Sequence, residues 1–458
     1  MNSQLSQFLG AKVEAQRALF ASGATLPLSF RRQQLRRLAT ALDEWEGALC
    51  DALWQDLHKS PQEAILTELS IVRGEIRNHL RHLGRWTRTR RPATPLKMFP
   101  SRSSVMTQPL GSALIIAPWN YPVQLLLNPL VGAISAGCTA MLKTSPAVPH
   151  VAQVLVQMIG ATFPENYVAA IDGHREVNTA LLEQRFDIIF FTGSPALGKV
   201  VMASAARTLT PVVLELGGKS PTIVDRGANV AMAARRIAWG KTLNAGQTCI
   251  APDYLMIHSS LKEEFVAAFE RELHKLHGAD IALSPHYGRM VSDKAFERVS
   301  GYLADGRVLV GGATNAAERY IEPTLLEVPN TECAVMQEEI FGPILPLITF
   351  DDIDQVREFV CERPHPLAFY YFGPKKQGKA LMARAISGGA CLNDTIMHIA
   401  NERVPFGGVG ASGMGRYHGR ESLLAFSHQR SVVATSTAID LTFRYMPYKL
   451  WGLVKRLL

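Results

Sequence analysis

Apolar positions set the reading of this chain from its first hundred residues onward. Leu35, Leu38, Leu42, Trp45, Leu49 and Leu53 recur every three or four places, the spacing of one amphipathic helical face. The first ninety residues therefore read as mainly helical, with a helix over about 35–53. Pro92, Pro95 and Pro100 stop any further helix, and the polar run 101–107 reads as an extended excursion. Beyond residue 110 the pattern changes to short apolar runs that suit buried strands, at 113–117, 139–143, 168–171, 187–191 and 211–216. Helical stretches lie between them at 122–137, at 151–159 and from about 196. Strands alternating with helices of this length make parallel βαβ units, so a doubly wound sheet is predicted over 110–216. A second alternation from about 220 to 413, with a helix at 261–276 and strands around 308–310 and 345–348, predicts a second α/β domain. The last forty-five residues turn polar and then apolar again, and read as a tail crossing to another surface.

Composition narrows the class without identifying it. At 458 residues and 47% hydrophobic content the chain is long enough for more than one core. Its net charge of +8 is mild for this length and implies no nucleic-acid partner. Two basic clusters, Arg31, Arg32, Arg36 and Arg37, then Arg85, Arg88, Arg90 and Arg91, read as solvated faces, with a partner or subunit surface as the alternative. Six scattered cysteines without a Cys-x-x-Cys pair or clustered histidines suggest neither a disulfide framework nor a metal site. That usage and the lack of an N-terminal secretion signal fit a cytoplasmic protein. No run of 18 apolar residues predicts an ordinary spanning helix. The last stretch, 448–458, reads as a terminal helix packed on the body or on a second subunit, with weak docking to a membrane surface as the alternative.

Candidate chemistry concentrates in a few loops. Cys249, in the run Asn244-Ala245-Gly246-Gln247-Thr248-Cys249, is either a thiol nucleophile or one more buried cysteine, and its polar, glycine-bearing neighbours do not resemble a core segment. A thiol nucleophile needs a base, and Glu215 in Leu214-Glu215-Leu216-Gly217-Gly218-Lys219 suits that role better than His258, the nearest histidine in sequence. Asn120, in Pro118-Trp119-Asn120-Tyr121-Pro122 at the end of the first predicted sheet strand, is an oxyanion donor or an ordinary turn asparagine. Thr192, Gly193, Ser194 and Gly198 stand where a strand gives way to a helix, an arrangement that presents free N–H groups to a pyrophosphate. Their Gly-x-x-x-x-Gly spacing is neither the dinucleotide fingerprint nor a P-loop. Glu338 to Pro343 and Pro405 to Gly410 are two further turn-like runs, each unremarkable alone.

Together the segments PWNYP (118–122), FTGSPALGK (191–199), LELGGKSP (214–221), NAGQTCIAPDY (244–254), MQEEIFGPILP (336–346) and PFGGVGASGMGRYHG (405–419) resemble the aldehyde dehydrogenase superfamily, over almost the whole chain its class 3 branch of fatty and aromatic aldehyde dehydrogenases. The resemblance implies a Rossmann-like cofactor-binding domain at 1–91 and 108–216, an α/β catalytic domain at 217–413, and bridging or oligomerisation segments at 92–107 and 414–458. It implies that Cys249 attacks the aldehyde to give a thiohemiacetal, that Asn120 and the Cys249 N–H form the oxyanion hole, and that Glu215 activates the water that hydrolyses the thioester. It places Lys143 and Glu339 on the adenosine and nicotinamide riboses, Phe341 beside the nicotinamide, and Thr192, Gly193, Ser194 and Gly198 near the pyrophosphate. Trp119, Tyr121 and Phe406 would line a pocket for medium or long aliphatic or aromatic aldehydes. Family members often read Lys-Pro-Ser-Glu where this chain has Lys143-Thr144-Ser145-Pro146, and losing that carboxylate removes a repulsion against the NADP phosphate, so use of NAD with tolerance of NADP is expected, with a preference for NADP as the alternative. A homodimer is implied, with the extension after Arg91 and the residues near Val432 meeting across its interface. The rival readings are a CoA-acylating aldehyde dehydrogenase, a cofactor-free thiol hydrolase and a non-catalytic scaffold; Glu215, the Gly193 turn, and the presence of Cys249, Glu215 and Asn120 together weigh against each in turn.

Overall fold

The computed structural model describes residues 3–448 and 451–457. Its first sheet carries six strands in the spatial order Gly413–Met414, Val212–Leu216, Ile188–Gly193, Ser112–Ile116, Thr139–Lys143, Val168–Ile171. The inner strands Ser112–Ile116 and Thr139–Lys143 are buried at every position, as their unbroken apolar runs require when helices cover both faces. All pairings are parallel except that of Gly413–Met414 with Val212–Leu216. Strand order reverses between Ser112–Ile116 and Ile188–Gly193, and in such sheets the crevice at the carboxyl ends of the two diverging strands accepts ligands. The loops leaving those strands carry Trp119 and Asn120 on one side and Gly193 and Ser194 on the other.

The second sheet has seven strands, Gly389–Leu392, Ala368–Phe372, Pro221–Val224, Tyr254–His258, Ile344–Phe350, Thr324–Glu327 and Arg307–Val310, the last antiparallel to its neighbour. Ser101–Pro109 and Ser427–Thr435 form a separate antiparallel ribbon, nine residues long on each strand.

Three expectations change. The helix over 35–53 is two helices, Leu28–Glu44 and Glu46–Leu57, parted at Trp45. Leu35, Leu38, Leu42, Leu49 and Leu53 are all fully buried, so one apolar periodicity runs through a bend that it does not reveal. The segment after 413 does not leave at once as a tail: Gly413–Met414 joins the first sheet, and Tyr417 and Phe426 pack on Phe190 at 5.1 and 6.0 Å between ring centroids. Arg31 is no solvated charge, since its guanidinium donates to the carbonyls of Ser135 (3.2 Å) and Leu26 (2.6 Å), the former in the last turn of the helix Gln124–Ala136. Of the terminal stretch, Lys449, Leu450 and Leu458 lie outside the described residues, and Trp451, at the start of the helix Trp451–Leu457, is 55% exposed.

One polar cluster ties the N-terminal helices to the sheet. The Lys59 ammonium meets the Glu68 carboxylate at 2.6 Å with both side chains fully buried, and it also donates to the Asn120 carbonyl at 3.0 Å. Glu68, on the π-helical turn Ile65–Leu69, accepts with its other oxygen from the backbone N–H of Val123 (2.8 Å) and Gln124 (3.2 Å), at the N-terminus of the helix that follows. Removing either partner leaves an uncompensated buried charge. Lys59→Met and Glu68→Leu are each expected to lower stability by about 3–5 kcal/mol in denaturant unfolding, and the double variant by clearly less than their sum. Additive losses would show that packing, not charge, holds this region.

Candidate active site

The nucleophile candidate sits at the end of a loop in an unusual conformation. Asn244, Ala245 and Gly246 follow one another at φ 51, 52 and 74°. Asn tolerates this left-handed region and Gly favours it, whereas Ala245 pays about 1–2 kcal/mol. At Gly246 a Cβ would collide with the Gly342 carbonyl, so only glycine fits. The loop is held from several sides. Glu63 accepts the Asn244 N–H at 2.7 Å, the Gln247 side chain bonds the Asn244 and Arg289 carbonyls at 3.0 and 2.9 Å, and Tyr121 shares a 2.7 Å hydrogen bond with the Thr248 hydroxyl.

Cys249 emerges from this loop, half-buried, into a cavity of about 810 Å³. Glu215, Asn120, Trp119, Tyr121, Thr192, Gly193, Ser194, Glu339, Phe341 and Phe406 line the same cavity, so residues from Trp119 to Phe406, far apart in sequence, meet around one thiol. Strand register accounts for part of this: Thr192 and Glu215 are direct partners across neighbouring parallel strands. Asn120 donates one amide hydrogen to the Gln247 carbonyl at 3.0 Å, and its second remains for a ligand. Trp119 and Phe341 meet edge to face at 5.3 Å. Two predicted residues stand apart from the cavity. Gly198 is buried on the helix Pro195–Ala206, where a Cβ would press on Leu216 at 2.7 Å, and Lys143 is buried at the end of its strand, donating to the carbonyls of Thr144 and Gly173 at 2.6 Å each.

The electrostatics are set by burial. It holds the Glu215 carboxyl well above the usual carboxylate range, and neither oxygen has a partner within the protein. Burial and the neighbouring Asp253 push Glu339 up to about 8, and its Oε1 is likewise unpartnered. The Cys249 thiol is raised by burial first and then by the nearby Glu339 and Glu215. Lys143 is lowered to about 8 by burial, opposed by Asp172 and Glu176.

Sequence reasoning missed several residues at this site. Lys59, Glu63 and Glu68 brace it from a helical segment with no recognisable motif, and no local signal marks them. Tyr417 and His418 also line the cavity, and both belong to the quoted 405–419 run without having been singled out. His418 stacks on Phe406 at 5.5 Å, and burial lowers its pKa, whereas His258 bonds Ser260 and takes no part in the cavity. Among the described residues no group of three or more acidic, histidine or cysteine side chains could hold a metal ion.

Glu63 offers a clean test of the brace. Burial raises its carboxyl to about 7 against the partial relief of Lys59. A folded-state pKa above the unfolded one means that the native protein binds this proton more tightly, so its contribution to stability is full below about pH 4.5 and is lost as pH rises to about 7. Glu63→Gln keeps an acceptor for Asn244 and removes the titration. Between about pH 5 and 8 the wild type is expected to lose roughly 3 kcal/mol relative to this variant, read from paired denaturant curves. Parallel pH profiles would exclude an ionising Glu63.

Comparison with known proteins gives a consistent picture. The profile of the family described as "Aldehyde dehydrogenase family" matches residues 6–432. The 4,4'-diaponeurosporen-aldehyde dehydrogenase of Staphylococcus aureus is 44% identical over 436 residues, 94% of this chain and 95% of that one. Human aldehyde dehydrogenase family 3 member B1 is 42% identical over 442 residues, covering 96% and 94% respectively. Among solved structures, the substrate-bound state of Staphylococcus aureus AldH superposes with a TM-score of 0.96 at 42% identity, over 98% of this chain and 99% of that one. An indole-3-acetaldehyde dehydrogenase in complex with NAD+ gives 0.85 at 26% identity, over 93% and 88%.

Proposed function

We propose a division of labour and a substrate class for this chain on the premise that it belongs to the aldehyde dehydrogenase family, has class 3 relatives, and oxidises an aldehyde to the carboxylic acid with NAD(P). The observation that carries the division is the meeting of Cys249, Asn120 and an unpartnered Glu215 in one cavity. Cys249 Sγ attacks the aldehyde carbon, and the growing negative charge on oxygen is met by the second Asn120 amide hydrogen and the Cys249 N–H. The residues fit the cofactor: the Thr192 hydroxyl and Glu339 Oε1 are buried without partners, Ser194 caps a twelve-residue helix whose N–H groups suit a pyrophosphate, and a side chain at Gly217 would collide with Glu339. Bound there, NAD(P) supplies the hydride acceptor. Glu215 then takes a proton from the water that attacks the thioester carbon, which releases the acid and restores the Cys249 thiol.

Burial of Glu215 matters to this last step. A carboxylate in ordinary solvent is a poor base, and raising its pKa brings it closer to the working pH. Leu66, Ile71, Leu125 and Ile399 add an apolar wall to Trp119, Tyr121 and Phe406, which supports medium or long aliphatic or aromatic aldehydes. Near Lys143 the chain has Pro146 in place of the family carboxylate, yet Asp172, just past the strand Val168–Ile171, and Glu176, on the helix that follows, act on Lys143. NADP is therefore tolerated rather than preferred. On the ribbon of Ser101–Pro109 and Ser427–Thr435, Met106 (39% exposed) and Val433 (51% exposed) carry apolar surface on the two opposite faces, which supports a homodimer closed through it. Six free cysteines suit a cytoplasmic protein, and among the described residues no helix is long and apolar enough to cross a membrane.

Cys249→Ala should abolish NADH formation from a medium-chain aldehyde. Glu215→Gln should keep a single burst of about one NADH per site while steady turnover falls by about a hundredfold or more, and the rise of kcat with pH should disappear. Full steady turnover in Glu215→Gln would remove it as the base. With saturating aldehyde, kcat/KM should favour NAD over NADP by less than about a hundredfold, since no acidic side chain at the family position opposes the phosphate. Complete rejection of NADP would refute the cofactor reading.

A further inference from the structure

At the outer end of the cavity three arginines converge from two elements. Arg77 and Arg81 stand one turn apart on the helix Ser70–Trp86, on the side that also gives Ile71, Gly74 and Asn78 to the wall, and Arg403 comes from a loop held against this helix where the Asn78 amide donates to the Glu402 carbonyl at 3.1 Å. All three are exposed, and none makes an ion pair or a side-chain hydrogen bond among the described residues. Other arginines nearby are engaged. Arg298, which lines the same cavity, donates to the Ile340 carbonyl at 2.7 Å and to the Tyr302 hydroxyl at 3.0 Å, and Arg73, on the same helix as Arg77, holds Asp43 and Glu46. Two carboxylates face this end. Glu75 is committed, accepting from Gly419 N–H and the Ser422 hydroxyl at 2.7 Å each and contacting His79, while Glu402 has no ion-pair partner among the described residues and neutralises at most one of the three cations.

We propose that Arg77, Arg81 and Arg403 form an anion subsite, and that the enzyme favours aldehydes carrying a carboxylate at the end remote from the carbonyl, the ω-oxo acids. The inference rests on the aldehyde-oxidising site proposed above and adds a selection at its mouth. Like charges one helical turn apart repel, and a carboxylate between them relieves that repulsion while its two oxygens match the guanidinium fork. The apolar wall of Leu66, Ile71 and Leu125 lies in the same cavity as both the cations and Cys249. A methylene chain would cover that wall while the aldehyde reaches the thiol and the far charge stays in the partly hydrated mouth. Partial hydration limits the gain, because exposed ion pairs contribute little each.

The test compares nonanal with 9-oxononanoate, which match in length and differ at the far end. In the wild type, kcat/KM should be roughly fivefold to tenfold higher for the oxo acid at low salt, the scale of one or two charge-assisted contacts, and most of the gain should appear in KM. The preference should shrink towards unity between about 0.05 and 0.5 M salt as screening shortens the range of the arginine charges. In the R77Q/R81Q/R403Q variant it should vanish, with nonanal still oxidised. Equal or lower efficiency for the oxo acid in the wild type overturns the proposal, as does a preference that survives salt or the triple substitution. If neither aldehyde is oxidised, the underlying reading of the site fails as well, which separates the two.

Discussion

The buried ion pair of Lys59 and Glu68 is the interaction on which the site depends. Two charges removed from water stay together only where further hydrogen bonds satisfy what remains of each. Here those further bonds go to the catalytic face: Lys59 to the Asn120 carbonyl, Glu68 to the N–H groups of Val123 and Gln124. The pair thereby fixes the loop around Asn120 at both ends, and the Lys59 ammonium lies 4.1 Å from the centre of the Tyr121 ring, whose hydroxyl holds Thr248 next to Cys249. A short helical segment with no chemistry of its own thus aligns the donor with the thiol.

The second constraint is backbone geometry. Three consecutive left-handed residues aim Cys249 into the cavity, and Phe341 at φ 51° sits in the same sparsely allowed region on the other side. Such residues persist where surroundings over-determine them. Glu63 and Gln247 do so for the first loop, Asp253 and Arg298 for the second through the Ile340 backbone at 2.9 and 2.7 Å. The strain is held by polar contacts from outside the loops. Burial raises the Glu215 carboxyl, and burial together with the nearby Asp253 raises that of Glu339.

Topology then brings ligand and catalyst together. Reversal of strand order opens the crevice beside Asn120 and Gly193, and the parallel register sets Thr192 beside Glu215. The late return of Gly413–Met414 to the same sheet, antiparallel to Val212–Leu216, covers the edge of the strand that carries Glu215 and brings Phe406, Tyr417 and His418 to the cavity wall. Cys249, Asn120, Glu215 and Glu339 meet in one cavity from parts of the chain that share no local sequence.

Much of this was legible in the residues. Unbroken apolar runs found the five parallel strands of the first sheet and two strands of the second, and the 3.6-residue period found helices, because a strand covered on both faces is apolar throughout and burial on a helix repeats at its own period. The motif loops were legible because glycine, proline and asparagine are demanded wherever backbone must turn sharply or approach a ligand. The bend at Trp45 was not, since a buried face can continue across a break without losing its period. Nor were Glu63, the Lys59 and Glu68 pair, or the arginines at the cavity mouth. Nothing adjacent in the chain distinguishes a charged residue braced against a loop 181 positions away from one in water. The sequence by itself determined the element types and the chemistry available to them, which follow from local periodicity and side-chain identity. Only the tertiary structure decided which charges are buried, which are paired and which remain free, because desolvation and partnership are set by neighbours that the chain brings together last.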